Sequence, residues 1–162
     1  MKLISRILVY IDDSDTAIAA VQTAVLLAKK FDAELFGLYV INTKALSDLV
    51  KARIFVESER EEYAQELEAD AERYLRLARK LAAAKKIDIV AEKIQGTPHR
   101  EIREFVENNK IDLLIVGVDN DRMKSLREEA VGDKDVAIRR VPCDVLCVKN
   151  EERAELCFDT EE

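Results

Sequence analysis

The residues best suited to chemistry are Asp12 and Ser14, which follow the apolar run Ile7-Leu8-Val9-Tyr10-Ile11, and Gly117, which closes the run Asp112-Leu113-Leu114-Ile115-Val116. A carboxylate and a hydroxyl two residues apart offer an acceptor and a donor to a ligand, and a glycine lets a backbone N–H approach an anion closely. Asp13 or Ser14 equally suits the N-cap of a following helix, so a ligand role and a capping role both stay open. Three further acids, Asp119, Asp121 and Asp133, crowd the stretch beyond Gly117. The single histidine, His99, removes most imidazole metal sites and every Ser-His-Asp triad not built on it. In the first turn of a helix it reads as a surface residue rather than a base.

These residues need elements to bring them together. The two apolar runs show no alternation, which suits strands covered on both faces, the inner strands of a parallel α/β sheet. Side by side, they place Asp12 and Gly117 at the carboxyl edge of the sheet, where ligands bind if the strand order reverses there. Between them the pattern predicts a helix from Ala17 to about Phe31, a strand from Glu34 to Ile41, and a helical turn and loop over Ala45–Val56. From Ser58 to about Ala84 the stripe Tyr63, Leu67, Ala71, Tyr74, Leu75, Ala78 and Leu81 marks a long amphipathic helix. That stripe reads as core or dimer surface rather than as a ligand contact. An edge strand around Ile87, Ile89 and Ala91 follows, then a helix with Thr97 as N-cap and Pro98 as first residue, closed by Asn109 in a left-handed conformation. A helix from about Val131 to Arg140, stopped by Pro142, and a strand from Asp144 to Lys149 complete a doubly wound α/β domain over residues 1–149. Residues 150–162 read as an acidic, mobile tail unless Leu156, Cys157 and Phe158 dock.

Composition narrows the function. A chain of 162 residues, 48% hydrophobic, can bury one full core. Its formal net charge of -7 argues against nucleic acid or an anionic membrane surface as main partner, because both reward clustered Lys and Arg. No apolar run approaches the roughly 20 residues of a membrane span, and the N-terminus shows no signal-peptide pattern, so the expected location is the cytoplasm. Cys143, Cys147 and Cys157 make neither a disulfide framework nor a zinc pattern.

The chain resembles the universal stress protein family over roughly Ser5 to Lys149. The likeness is carried by Ile7-Leu8-Val9-Tyr10-Ile11-Asp12 with Ser14, Val40, Gly96-Thr97-Pro98 with Ile102, Asp112-Leu113-Leu114-Ile115-Val116-Gly117, and Val141-Pro142-Cys143-Asp144-Val145-Leu146-Cys147-Val148, in family order and spacing. It implies a five-stranded parallel sheet of order 3-2-1-4-5 with helices on both faces. It further implies ATP or AMP with magnesium as ligand, Asp12 at the ribose or adenine edge, Val40 beside the base, and Val116 and Gly117 beneath it. Nucleotide-binding members carry Gly-x-x-Gly, nine residues, then Gly-Ser or Gly-Thr. Here Asn120 replaces the second glycine, eleven residues precede Gly132, and Asp133 stands where the hydroxyl belongs. Counting back from Pro142 instead puts Val131-Gly132 at the Gly-Ser position.

The resemblance with these departures implies a stress-response module, homodimeric, whose degenerate cleft binds adenine nucleotide weakly or not at all. The alternative is an ATP-binding switch with slow hydrolysis. A related alpha hydrolase would need a Ser-Gly-Gly-like first loop, which Asp12-Asp13-Ser14-Asp15 lacks. Members commonly dimerise through the last strand, which implies burial of Val145, Leu146 and Val148 against a second copy. Cys143 and Cys147 lie on one face of that strand about 13 Å apart. A two-fold axis through Val145 would set them opposite each other across chains, although a reducing compartment favours a pair of buried free thiols.

Overall fold

The computed structural model describes residues 1–53, 56–119 and 132–161. Five strands, β1 (Arg6–Ile11), β2 (Glu34–Asn42), β3 (Ile89–Gly96), β4 (Leu113–Gly117) and β5 (Asp144–Val148), form one parallel sheet of order β3-β2-β1-β4-β5. Among the described residues the helices are α1 (Ala17–Phe31), α2 (Thr43–Lys51), α3 (Glu57–Ala84), α4 (Pro98–Asn108), α5 (Asp133–Arg140) and α6 (Glu151–Thr160). The chain moves outward from β1 through β2 to β3, then crosses to β4 on the other side of β1. The order therefore reverses between β1 and β4, which pair in register Ile7↔Leu113, Leu8↔Leu114 and Val9↔Ile115.

The unalternating apolar runs are explained by two cores. Ile7, Val9 and Ile11 face one layer with Val21 and Val25 of α1 and Ala71, Leu75 and Ala78 of α3. Leu8 and Tyr10 face the other, with Ile102, Phe105 and Val106 of α4 and Ala137 of α5. Residues such as Leu8, Ile7 and Leu114 lose all solvent exposure, each contributing about 1.5–3 kcal/mol of burial. At the amino edge Asp112 ties the central strands together. Its Oδ2 accepts from the Ser5 N–H, the Ser5 hydroxyl and the Arg6 N–H, each at 2.9 Å. The Ser5 backbone donor leads in holding this carboxyl below its ordinary pKa.

Several expectations are corrected. Residues 150–161 are not a mobile tail: α6 packs on α1 and buries Ala154 and Phe158, with the Lys85 ammonium 4.7 Å from the Phe158 ring centre. Leu156 and Cys157 stay exposed. Asn109 does not adopt the left-handed conformation; its side chain donates to the Phe105 carbonyl, and Lys110 takes the positive φ instead. That arrangement lets the Ile111 N–H reach the Val106 carbonyl and close the helix. Thr97 and Thr16 stand at N-caps without a side-chain bond to the helix.

Along β5, Val148 is buried in the chain's own core and Val145 packs partly against the α4 side, so of the three expected interface residues Leu146, 37% exposed, is the one left open. The two strand thiols are not a buried pair: Cys143 is half-buried, with its pKa raised by burial, whereas Cys147 is exposed. Of the apolar triplet 54–56, Ile54 and Phe55 lie outside the described residues, and Val56 is exposed.

Candidate functional site

The reversal between β1 and β4 opens a cleft of about 370 Å³ at the carboxyl edge, within the ~300–1,000 Å³ of small-molecule sites. One wall is apolar and aromatic: Tyr39 and Val40 from the end of β2, Leu46 from α2, and Tyr63 and Leu67 from the first half of α3. Tyr39 stacks on Tyr74 with ring centres 6.0 Å apart. The opposite end is charged and is formed by Asp12 and Asp13 after β1, Asp119 after β4, and the first turn of α5.

At its centre is an ion pair. Lys134 Nζ lies 2.6 Å from Asp12 Oδ2 and donates to the Gly117 carbonyl at 2.7 Å, with both charged side chains 16% exposed. The other Asp12 oxygen accepts from the Ser14 hydroxyl at 2.5 Å and the Ser14 N–H at 3.2 Å. Lys134 thus bridges the ends of β1 and β4 across the switch point. His99 Nδ1 lies 2.5 Å from Asp133 Oδ1, joining the start of α4 to the start of α5. Tyr10, beneath Lys134, has its phenol pKa pushed up, first by burial and then by Asp12. Tyr39 is pushed up by burial and then by Asp13 and Asp70. Both are neutral phenols at ordinary pH, suited to line a wall rather than to accept protons.

The sequence profile of the universal stress protein family matches residues 4–149. The chain belongs to that family. It is 28% identical over 148 residues to universal stress protein MJ0531 of Methanocaldococcus jannaschii, covering 91% of this chain and 83% of that protein. Among solved structures it is similar to universal stress protein UspA from Lactobacillus plantarum, with 26% identity, a TM-score of 0.68 and coverage of 89% and 97% of the two chains. A universal stress protein in complex with cAMP is 24% identical with a TM-score of 0.64, covering 90% of this chain and 97% of its own, and shares the fold.

The structure gathers most of the family-type positions. Asp12, Val40, Gly117, Gly132 and Asp133 line the cleft, and Ser14 reaches it through Asp12. Val116 is fully buried in the α4 and α5 core. Asn120 and Val131, as well as Asp121, lie outside the described residues. Gly117 has a local reason to be glycine: a Cβ there would stand 2.6 Å from the Thr16 carbonyl oxygen. Gly132 has none, because the nearest atom to a Cβ would be Asp135 Oδ2 at 3.6 Å.

Three features go beyond the expectations. Lys134 was masked in sequence by the acids around it, yet a lysine in a helix's first turn opposes the helix dipole, and that mismatch is a readable signal of an outside partner. Tyr63 and Leu67, which the stripe assigned to core or dimer surface, line the cleft because α3 extends past the carboxyl edge of the sheet. His99 is tied to Asp133 instead of standing free on the surface.

Proposed function

We propose that the protein is a regulatory module of universal stress protein type, a homodimer whose degenerate cleft binds adenine nucleotide weakly and carries no chemistry on it. The observation that carries this reading is that Asp12 is already engaged: Ser14 and Lys134 bond its two carboxylate oxygens before any ligand arrives. Among the described residues no fully buried side-chain nitrogen or oxygen lacks a partner, so the floor of the cleft holds no stranded polar group for a ligand to rescue. Tyr39, Val40, Leu46 and Tyr63 fit an adenine ring by their apolar and aromatic surfaces. The relative seen with cAMP supports that class of ligand.

The phosphate end fits less well. Asp13, Asp119, Asp133 and Asp135 line it, and among the described residues no group of three acids, cysteines or histidines is arranged to hold a magnesium ion. The homodimer reading is supported by β5, a sheet edge whose unpaired backbone groups and exposed Leu146 suit a second copy.

Calorimetric titration with ATP, with and without magnesium, tests the first part. Affinity weaker than about 10 μM is expected, and a submicromolar dissociation constant would replace the reading with that of a tight ATP switch. Light scattering tests the second part: Leu146→Lys should yield monomer, and a wild-type monomer at high concentration would remove the dimer.

A further inference from the structure

We infer that the outer flank of α3 guards the β3 edge of the sheet: Glu68, Glu72 and Arg79 occupy that edge so that a second copy of the chain cannot pair there. The edge is the one opposite β5, and the guard rests on neither the nucleotide nor the homodimer reading.

Among the described residues β3 ends the sheet, with β2 on one side and no strand on the other. A strand so placed turns every second backbone N–H and C=O off the sheet, where another chain can take them. Of the two edges β3 is the more inviting. It runs for eight residues against five in β5, and Val90, 51% exposed, stands on the face away from α3 and pairs in register with Phe36. A second copy joined here would bury apolar surface as well as satisfy backbone groups.

Two rows of side chains meet over this edge. Glu68, Glu72 and Arg79 follow one another at four and seven residues, which sets them along one side of α3. Ala91, Lys93 and Gln95 alternate along β3 and so share the face that α3 covers. Arg79 Nη2 donates to the Ala91 carbonyl at 3.2 Å. Lys93 Nζ lies 2.9 Å from Glu68 Oε2 and 2.7 Å from Glu72 Oε1, and Gln95 Nε2 donates to Glu68 Oε1 at 3.1 Å. Arg79 thus holds an acceptor that a neighbouring strand would need, and Lys93 with its two acids sets charges there that a second copy would have to desolvate. The side chains of Lys93, Glu68 and Glu72 are 37%, 38% and 45% exposed, and surface pairs of this kind add little to stability. What distinguishes them is their place along an edge. A sheet open at both ends can add copies without limit, whereas one closed at β3 stops at two through β5.

The test compares the wild type and Leu146→Lys, each with and without the triple change Glu72→Ala, Arg79→Ala and Lys93→Thr, by light scattering over a range of concentrations and by hydrogen exchange. Removing the guard should raise the average mass at high concentration by about twofold or more over the parent in both backgrounds. The Ala91 and Lys93 amides should exchange more slowly in the concentrated sample of the unguarded protein, and at an unchanged rate in the parent's. A folded triple variant whose mass matches its parent refutes the guard. A raised mass without slowing at those two amides also refutes it, because the association is then a stickiness of the altered surface rather than strand pairing. Slowing with concentration in the parent refutes it too, since β3 would already be in use. Where the triple variant does not fold, the milder pair Arg79→Gln with Lys93→Thr is read by the same two measurements, and an unchanged mass there refutes the guard as well.

Discussion

Replacing Gly117 by alanine separates two meanings of a glycine at a nucleotide-type cleft. If Gly117 served only to bring a backbone N–H near a phosphate, a methyl group would weaken ligand binding and leave the fold alone. The structure gives another role. The added Cβ would overlap the Thr16 hydroxyl oxygen and stand 2.6 Å from the Thr16 carbonyl oxygen and 2.8 Å from its carbonyl carbon, whereas unstrained contacts begin at about 3.5 Å. Relief needs a shift of roughly 0.8 Å in the entry to α1. The residues that follow are held, since the Ala20 N–H bonds the Thr16 carbonyl at 3.0 Å and both Ala17 and Ala20 are buried. Overpacking of this kind costs about 1–3 kcal/mol, and the rigidity of the neighbour places Gly117→Ala at the upper end, about 3 kcal/mol. For a chain of this size that lowers Tm by about 6–12 °C.

The contrast is Gly132, the other glycine of the cleft. It is the N-cap of α5 with φ near -66°, and space is open around a Cβ. Gly132→Ser should lie within about 0.5 kcal/mol of wild type, on the stabilising side because serine is the better cap. Urea unfolding at pH 7 reads both variants. A Thr16→Ala background removes the hydroxyl but not the backbone overlap, so it should restore less than half of the Gly117→Ala loss. A Gly117→Ala protein within 0.5 kcal/mol of wild type, or one fully rescued by Thr16→Ala, would refute the steric account.

Asp112→Ala removes three hydrogen bonds that join the starts of β1 and β4, and after discounting for solvent access it should cost about 2 kcal/mol at pH 7 in urea melts. Because the folded carboxyl titrates below its unfolded value, this contribution is complete above the unfolded pKa of about 3.9 and is lost as pH falls through the lower folded one, so the gap to wild type should close only below about pH 4. Phe158→Ala should release α6 before the rest unfolds: hydrogen exchange should quicken over residues 151–160 while β1 and β4 keep their protection. Uniform loss across all three would show α6 to be part of the main cooperative unit.

What could be read from the sequence follows what is local. The runs around Val9 and Ile115 announced inner strands because each residue is apolar and both faces are covered, and the resemblance supplied the strand order that sets Asp12 near Gly117. The stripe from Tyr63 to Leu81 gave α3, but a 3.6-residue period records which face is apolar and not what lies opposite. Its lower half meets the sheet and its upper half meets the cleft. Helix α6 read as a tail, with docking through Phe158 only the alternative, because two residues one turn apart, Ala154 and Phe158, are buried, too few to form a pattern among so many acids. Lys134 was hidden for a different reason: its partner is Asp12, 122 positions earlier, and only the finished sheet brings them within 2.6 Å.

That pair also bears on how the proposed module would respond to a ligand. A cleft with stranded polar groups gains the full value of every bond a ligand supplies, and holds it tightly. Here Asp12 is satisfied by Ser14 and Lys134 before any ligand arrives, so each new bond is worth only its excess over the one it shares or replaces. The aromatic wall contributes burial, and Lys134 is already held by Asp12 and the Gly117 carbonyl. The sum favours modest affinity and rapid release, so that occupancy follows the free concentration of the ligand. Within the proposed reading, the self-satisfied Asp12–Lys134 pair is what fits this cleft to sense an adenine nucleotide rather than to store it.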